Sequence, residues 1–365
     1  MNVIDRDRYD VSLMILSPKG AFMELLPKGL HLITNPVWDY INSGVSGLWL
    51  LLKNGYPLLA VGHFFRLVLS ALGQKAKAGR LIAKLMPTLI EEYDTIVDFN
   101  GQQQLYYMID KLKGNKKITF FHSDYEKWPY YYDVDKRYFP KANYIFTISE
   151  HCVESLKKYF PFQREKIRKM ENISSLSLIT KMAESEISDM VSEDSQMLLT
   201  IGHVCENKGI LWAIESASIL KKRNIKYKWF FIGSVDDPGR YDTLIRQHGV
   251  DDNMVFLGIK TNPYPYIRKA DIIVHPSKFE GRSIALDEAK LLCKPVVVTN
   301  FSTVEDQFKK GHNATICEMN PLSIADAIEQ LIKDDDLKLK YKNALFAERH
   351  DNSSEIEKLY SIFDE

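Results

Sequence analysis

The chain has 365 residues, enough for two α/β domains that each bury a core of their own. Basic and acidic residues balance at 48 each, so the formal net charge is zero and no overall field attracts nucleic acid or an anionic membrane. The four cysteines are far apart and form no CxxC pair, which argues against a zinc knot or a disulfide framework. We therefore expect a cytoplasmic protein that is not a nucleic-acid binder and holds any anionic ligand by local contacts.

The N-terminal residues do not form a basic-then-apolar signal peptide, which argues against secretion. The most apolar long stretch, 47–73, is interrupted by polar residues and proline, so it falls short of a membrane span. We interpret it as buried or amphipathic helices. Its aromatic and basic residues leave open an alternative, peripheral contact with the inner face of a membrane.

Short apolar runs typical of strands alternate with helix-period segments along nearly the whole chain. The predicted strands are 10–16, 31–34, 95–100, 118–123 and 144–149 in the first half, and 197–202, 229–234, 254–259, 271–277 and 295–300 in the second. Continuous apolar strands separated by helices indicate parallel sheets that are covered on both faces. The pattern predicts an α/β fold with two doubly wound sheets in series.

A polar interval rich in serine and glutamate, 169–196, separates the two halves. It predicts domains at 1–172 and 173–348. The tail is predicted as two helices broken around 351–353, and we expect the segment at about 349–365 to pack back on the first domain. Ligands of open α/β sheets bind beyond the carboxyl ends of the strands, so the expected site is a cleft between the domains.

Two glutamates flank the start of a predicted helix. Glu280 follows the strand 271–277, and Glu288 lies inside the helix that we expect to begin near Ser283. The free amides and positive dipole end of that helix suit a phosphate group. A carboxylate at Glu288 can accept two hydrogen bonds from the vicinal diol of a ribose. A simpler alternative stays open, in which both acids only stabilise the helix dipole.

A second strand, turn and helix presents cationic groups to an anion. Gly202 ends the strand, and His203 and Lys208 follow it before the helix opens at Gly209. The spacing is not that of a P-loop, because the GxxxxGK[ST] pattern is absent. A solvated lysine is the alternative to a ligand-binding one.

These segments together resemble the retaining nucleotide-sugar enzymes of glycosyltransferase family 4, which have the GT-B fold. The likeness is carried by the E-x7-E motif and by the runs "TIGHVCENKG" and "NPYPYIRKADIIVHPSKFEG", and more weakly by "FFHSDY" and "YIFTISEHCVESL". It covers nearly the whole chain. It implies two Rossmann-like domains that face each other across a cleft, the first on the acceptor side and the second binding the donor.

The resemblance also implies roles for individual residues. Glu280 would contact the hydroxyls of the donor sugar, Glu288 the ribose, and Lys208 the phosphates. His122, at the end of a first-half strand, corresponds to a cleft-facing histidine, with a capped loop residue as the alternative. The further donor-binding positions are Gly202, His203, Gly258, Lys260, Gly281, Arg282 and Ser283.

The chain departs from the family in two places. His203 stands where the family has an arginine, and a neutral imidazole lacks the fixed charge. The family's opening strand, Gly-Gly loop and helix, a unit of about 30 residues, has no counterpart, so we expect a start site upstream of Met1. Both departures favour an alternative function, a non-catalytic GT-B subunit that supports a partner glycosyltransferase. A sugar-nucleotide epimerase on the same fold is a weaker alternative.

Metal-dependent chemistry is not expected. The segment Asp133–Asp135 matches the D-x-D of another glycosyltransferase fold, but it lies in an aromatic, charged stretch that we interpret as a solvated loop. The histidines lack an HExxH or paired spacing, so we expect no metal and no cofactor. The activity that the resemblance implies is metal-independent transfer, with retention, from a UDP-linked sugar. The acceptor is left open as a saccharide, lipid-linked glycan or protein in surface polysaccharide or glycoconjugate synthesis.

Overall fold

A computed structural model describes residues 4–19, 23, 26–192, 194–349 and 351–365. Its contacts divide the chain into two compact units, one of Met1–Glu171 with Glu355–Glu365 and one of Asn172–Ser354. Each unit has its own parallel sheets and its own hydrophobic core. The predicted α/β class is therefore confirmed.

The first unit contains two separate parallel sheets. β1 pairs with β2, and the other strands form a four-stranded sheet in the order β3-β4-β5-β6. The strands are β1 (Ser12–Met14), β2 (His31–Ile33), β3 (Glu92–Asp98), β4 (Lys113–Phe121), β5 (Tyr144–Thr147) and β6 (Ile167–Lys169). The helices are α1 (Pro36–Asn42), α2 (Ser46–Lys53), α3 (Pro57–Ala71), α4 (Lys75–Leu85), α5 (Gln103–Lys111), α6 (Tyr132–Asp135) and α7 (Glu150–Tyr159).

One sequence interpretation in this unit is wrong. The segment Asp133–Asp135 is not a solvated loop, because it lies in α6 and the side chain of Asp135 is fully buried. The Asp135 carboxylate accepts hydrogen bonds from the hydroxyls of Tyr106, at 2.5 Å, and Tyr125, at 2.7 Å. A charged group can be buried only when such donors replace its water. Asp135 thus links Tyr106 and Tyr125 inside the aromatic core of the first unit.

The apolar stretch 47–73 forms α2 and α3, and both helices pack against neighbours in the first unit. The packing is partial, since Leu58 keeps 86% and Val61 55% of its side-chain surface exposed. Among the helices that the structure describes, none is both long and apolar enough to cross a bilayer.

The second unit is built on one six-stranded parallel sheet in the order β12-β11-β10-β7-β8-β9. The strands are β7 (Gln196–Ile201), β8 (Tyr227–Ile232), β9 (Met254–Phe256), β10 (Ile272–His275), β11 (Val296–Thr299) and β12 (Thr315–Cys317). The helices are α8 (Leu176–Met182), α9 (Ile210–Lys222), α10 (Pro238–Gln247), α11 (Tyr264–Lys269), α12 (Ile284–Leu291), α13 (Pro321–Lys333) and α14 (Asp335–Glu348), while α15 (Glu357–Phe363) belongs to the first unit.

Helices cover both faces of this sheet, because successive strand residues point to opposite sides. Leu198 belongs to a core shared with α9, α10 and α13, whereas its neighbour Leu199 belongs to a second core shared with α11 and α12. Both leucines are fully buried. This two-sided burial explains why the strands of this half are continuous apolar runs.

The strand order places a topological switch point at the centre of the sheet. β7 lies beside β10, with Leu198 opposite Ile272, although two strands and three helices separate them in sequence. The chain after β7 leads to one side of the sheet and the chain after β10 to the other. Loops that leave neighbouring strands at such a point diverge and open a crevice for a ligand.

Gly209 allows the two loops of the switch point, the one after β7 and the one after β10, to approach each other closely. Its φ is +77°, in the left-handed region, and a Cβ atom there would lie 1.9 Å from the carbonyl oxygen of Pro276. The amide of Lys278 donates a hydrogen bond of 2.8 Å to the carbonyl of Asn207 beside this contact. Only glycine combines that backbone conformation with such a close approach.

We expect Gly209→Ala to lower the free energy of unfolding by more than about 2 kcal/mol, because the new methyl group must push the loop after β10 away. Urea denaturation of the purified protein measures this value. Gly239→Ala in α10 is the matched control, since no atom lies within 4 Å of the position of its Cβ. The control should leave stability unchanged or raise it by up to about 1 kcal/mol. Equal effects of the two changes would contradict the role given to Gly209.

Candidate functional site

An ion pair joins the two loops of the switch point. The Lys208 ammonium donates a hydrogen bond of 2.6 Å to Oε1 of Glu280. The same oxygen accepts from Nε2 of His275 and from the hydroxyl of Ser277, each at 2.8 Å. The residues that sequence reasoning placed after two different strands are therefore in direct contact.

Glu280 is held as an anion by these donors. Its burial alone would raise its pKa, but the hydrogen bond from His275 and the charges of His275 and Lys208 outweigh burial and lower the pKa below its ordinary value. The hydroxyl of Thr303 also donates a hydrogen bond, of 3.0 Å, to the backbone carbonyl of Glu280. The site thus keeps one fixed carboxylate at a fixed position.

A small pocket lies at the carboxyl end of β7. Three predicted residues line it, Gly202, His203 and Lys208, and the other lining residues are Thr200, Ile201, Val204, Ile210, Phe231 and His275. The imidazole of His203 is exposed, and its Nδ1 lies 2.8 Å from the hydroxyl of Ser234. The pocket therefore presents a primary ammonium and an imidazole to a ligand.

The start of α12 is already hydrogen-bonded. The Ser283 amide, which the resemblance assigns to the diphosphate, donates a hydrogen bond of 3.0 Å to the Gln307 side chain. Arg282 forms a two-pronged ion pair with Asp287, with distances of 2.8 and 3.0 Å. Gln307 also donates a hydrogen bond of 2.9 Å to the Asp287 carboxylate. A phosphate that reaches Ser283 or Arg282 must therefore replace one of these partners.

Glu288 has the opposite electrostatic environment to Glu280. Burial raises its pKa to about 7, the charge of Asp287 adds to that rise, and the hydrogen bond from Tyr264 opposes it. The Tyr264 hydroxyl lies 2.9 Å from Oε1 of Glu288. With a single such donor, this carboxyl changes its charge near neutral pH.

The predicted residues Gly258 and Lys260 lie in the loop after β9. The Gly258 carbonyl accepts a hydrogen bond of 2.9 Å from the amide of Gly233. Lys260 forms an ion pair of 2.6 Å with Asp189. Asp189 in turn accepts a hydrogen bond from the hydroxyl of Tyr266. This ion pair thus connects Lys260 to the segment that precedes β7.

His122 belongs to the first unit, where it follows β4. Its ring stacks on Phe120, with centroids 5.6 Å apart, and its burial lowers its pKa, so the imidazole is neutral at pH 7. At the end of the adjacent strand β3, the Asp98 carboxylate accepts hydrogen bonds from the amides of Asn100 and Gly101. Asp98 thereby fixes the loop beside His122.

One group of possible metal ligands occurs among the described residues. The side-chain ligand atoms of His203, Cys205 and Asp236 lie within 4.8 Å of one another. Imidazole, thiolate and carboxylate are ligand types that suit zinc. Ser234 already contacts His203, and Tyr241 forms a hydrogen bond with Asp236. That no metal is needed here stays a prediction.

Sequence reasoning missed the residues that hold the predicted ones in place. His275 and Ser277 stand at the end of the strand 271–277, and a polar pair at that position of an apolar strand was the available signal. Tyr264 and Gln307 carried no such signal, because only the fold brings them to Glu288 and to Ser283.

Comparison with known proteins identifies what the second unit resembles. The sequence model of the family "Glycosyl transferases group 1" matches residues 184–346. The N-acetylgalactosamine-N,N'-diacetylbacillosaminyl-diphospho-undecaprenol 4-alpha-N-acetylgalactosaminyltransferase of Campylobacter jejuni is 26% identical over 207 residues, which are 56% of this chain and 55% of that protein. The chain spans about half the length of the curated relatives it matches.

Solved structures extend the likeness to both units. HepE of Anabaena, in complex with UDP and glucose, has a TM-score of 0.71 at 13% identity and covers 98% of this chain and 93% of its own. WaaG, a glycosyltransferase involved in lipopolysaccharide biosynthesis, has a TM-score of 0.64 at 17% identity and covers 97% of this chain and 91% of its own. The chain therefore has the GT-B fold of these glycosyltransferases, and its region 184–346 is similar to the group 1 family.

Proposed function

We propose that this protein transfers a sugar from a nucleoside diphosphate sugar to an acceptor hydroxyl, with retention at the anomeric carbon and without a metal ion. The observation that carries the proposal is the Lys208–Glu280 pair at the switch point, inside the region that matches the group 1 family. A fixed anion beside an ammonium suits a ligand that carries hydroxyls next to phosphates.

Glu280 would accept a hydrogen bond from a hydroxyl of the donor sugar. Lys208 carries three N–H donors, and one of them can stay on Glu280 while the others turn to the diphosphate. The positive charge then stabilises the leaving group as the bond between the anomeric carbon and the phosphate oxygen breaks. The acceptor oxygen forms the new bond on the same face, and its proton passes to the departing phosphate oxygen.

The start of α12 plays a secondary part in this proposal. Its Ser283 amide contacts Gln307, so a phosphate gains that donor only if Gln307 moves. Lys208 needs no such exchange, because 31% of its side-chain surface is exposed and it lines the pocket. We therefore assign the phosphates first to Lys208. The ribose is assigned to Glu288, which lies in α12.

The donor base and the stereochemistry rest on the relatives. Structures of HepE and of TarM contain UDP, which supports a UDP-linked donor. The names of three relatives specify an alpha-linked product or sugar, which agrees with retention if the donor sugar is itself alpha-linked. The relatives that act on undecaprenol-linked glycan, on poly(ribitol phosphate) or in capsule synthesis support a surface glycan as the acceptor.

A non-catalytic GT-B subunit is the second candidate. One observation favours it: His203 is exposed and in contact with Ser234, and it lacks the fixed charge of an arginine. Turnover separates the two functions. A panel of UDP-, GDP- and ADP-sugars is incubated with the purified protein and simple sugar acceptors, and released nucleotide diphosphate is measured. Release above the enzyme-free rate supports the transferase, and its absence for every donor supports the subunit.

We expect Glu280→Gln to reduce turnover by about 100-fold or more, because it removes the charge that accepts the hydrogen bond of the donor-sugar hydroxyl, while the amide oxygen can still accept from Lys208. The affinity for the free nucleotide diphosphate, measured by calorimetry, should change by less than about fivefold, because the sugar is absent from that ligand.

Glu329→Gln is the matched control for this change. Glu329 lies on α13 and is paired with Arg223 and Lys333. The control should leave both turnover and affinity near the values of the unchanged protein. Parallel loss of turnover and nucleotide affinity in Glu280→Gln would contradict the assignment of Glu280 to the sugar.

Donor affinity should depend on pH through Glu288. Its pKa is raised to about 7, so the carboxylate that accepts the ribose diol is lost as the pH falls through that value. Affinity for UDP-glucose should be constant above pH 8 and fall about tenfold for each unit below pH 7. UDP-glucose is the suitable ligand, because its diphosphate does not titrate in this range. Glu288→Gln should bind weakly and show no such dependence.

Tyr264→Phe tests the same assignment from the other side. It removes the hydrogen bond that favours the charged form, so the fall in affinity should begin at higher pH. Tyr266→Phe on the same helix is the control, since that hydroxyl contacts Asp189 instead. A pH profile that is unchanged in Tyr264→Phe and in Glu288→Gln would show that Glu288 does not contact the donor.

A further inference from the structure

Helix α3 turns its apolar side outward. Leu58, Val61, Phe65, Val68 and Leu72 follow one another at helical spacings of three and four residues, up to the residue that ends the helix, and all are exposed. The exposed fraction is 86% for Leu58 and 56% for Phe65. A surface helix of a globular protein normally has the reverse arrangement, with its apolar stripe toward the core.

Two polar residues of the same helix, His63 and Arg66, face inward. His63 is fully buried, and its Nε2 donates a hydrogen bond of 2.7 Å to the Gly44 carbonyl. Arg66 donates to the carbonyl of Ile41 at 3.0 Å and lies 3.2 Å from Nδ1 of His63. These contacts fix the rotation of α3, so the apolar stripe cannot turn into the core without breaking them.

Helix α2, which packs against α3, and its flanks carry further exposed apolar residues. The exposed large apolar residues of α2, α3 and their flanks form what we call the α2–α3 face. They are Val45, Trp49, Leu52, Tyr56, Leu58, Val61, Phe64, Phe65, Val68 and Leu72. Trp49 is 60% exposed, and the ammonium of Lys53 lies 4.8 Å from the centre of its ring. Ten exposed large apolar residues on two packed helices and their flanks indicate a docking site rather than the single exposed apolar residues that are normal on a surface.

The segment that carries the face has charges of a single sign. The sequence contains no aspartate or glutamate from residue 40 to residue 90, although the whole chain is neutral. The same interval contains the basic residues Lys53, Arg66, Lys75, Lys77, Arg80 and Lys84. Lys53, Lys75, Lys77 and Lys84 are exposed. A neutral protein thus concentrates basic residues in the segment that carries these exposed apolar side chains.

We propose that the α2–α3 face docks this protein on the surface of a bilayer that contains anionic lipids. Aromatic and aliphatic side chains can enter the boundary between head groups and acyl chains, while the lysines contact lipid phosphates. A second copy of the chain fits less well, because a symmetric contact would bring two positive fields together. The proposal does not depend on the proposed transfer reaction.

Vesicle flotation of the full chain tests this docking. The purified protein is mixed with vesicles of phosphatidylcholine alone, or of phosphatidylcholine with phosphatidylglycerol, and the bound fraction is measured against lipid concentration and salt. We expect binding to the anionic vesicles that weakens as salt rises. Phe64→Ser with Phe65→Ser should weaken it by at least about tenfold, and Lys53→Glu with Lys75→Glu by about fivefold per lysine.

Phe162→Ser is the matched control, because Phe162 is 95% exposed in the same unit but outside the face. It should bind as the unchanged protein does, and circular dichroism checks that each variant is folded. Two results would overturn the proposal. One is the absence of vesicle binding, and the other is equal loss in Phe162→Ser and in the double phenylalanine variant. A dimer seen by light scattering that the double variant abolishes, with no vesicle binding, would assign the face to a second copy instead.

Discussion

The contact between the loops after β7 and β10 determines the geometry of the candidate site. The two strands are neighbours in the sheet but distant in sequence, so nothing local brings their loops together. The missing side chain of Gly209 allows its backbone to approach Pro276, and this contact sets the separation of Lys208 and Glu280. Loops that follow rigid strands and are held together in this way keep their side chains in more precise positions than free loops do.

The two glutamates of the E-x7-E motif show how environment shifts the pKa of one residue type in opposite directions. Three donors converge on Glu280 and keep it charged, whereas Glu288 is buried with Tyr264 as the donor that opposes the rise of its pKa. Groups whose surroundings shift their pKa values in opposite directions commonly take different parts in one reaction. In the proposed function, one carboxylate acts at every physiological pH and the other couples donor binding to proton concentration.

The sequence located the strands that lie in continuous apolar runs and missed two short strands at sheet edges. Runs such as 271–277 and 295–300 are apolar throughout because both faces are covered, so β10 and β11 could be located. The strands β6 and β12 have three residues each at sheet edges, and such short segments carry no periodic signal.

The candidate site divides in the same way. The resemblance placed Glu280 and Lys208 at one ligand, but their direct pairing depends on strand order, which hydrophobic runs do not encode. The inward orientation of the His63 and Arg66 side chains could not be predicted from the sequence either. An apolar run with two polar residues fits either rotation of α3 about its axis. Tertiary hydrogen bonds, rather than helix amphipathicity, determine the rotation of α3.

The pairing of charges around the candidate site bears on how fast an anionic ligand arrives. Lys208, Arg282 and Lys260 are each bound to a carboxylate, so their fields largely cancel beyond a few ångströms. The chain as a whole is neutral and adds no long-range attraction. In the proposed function, donor association therefore depends on collision and orientation rather than on electrostatic steering, with a rate constant in the ordinary range for neutral partners.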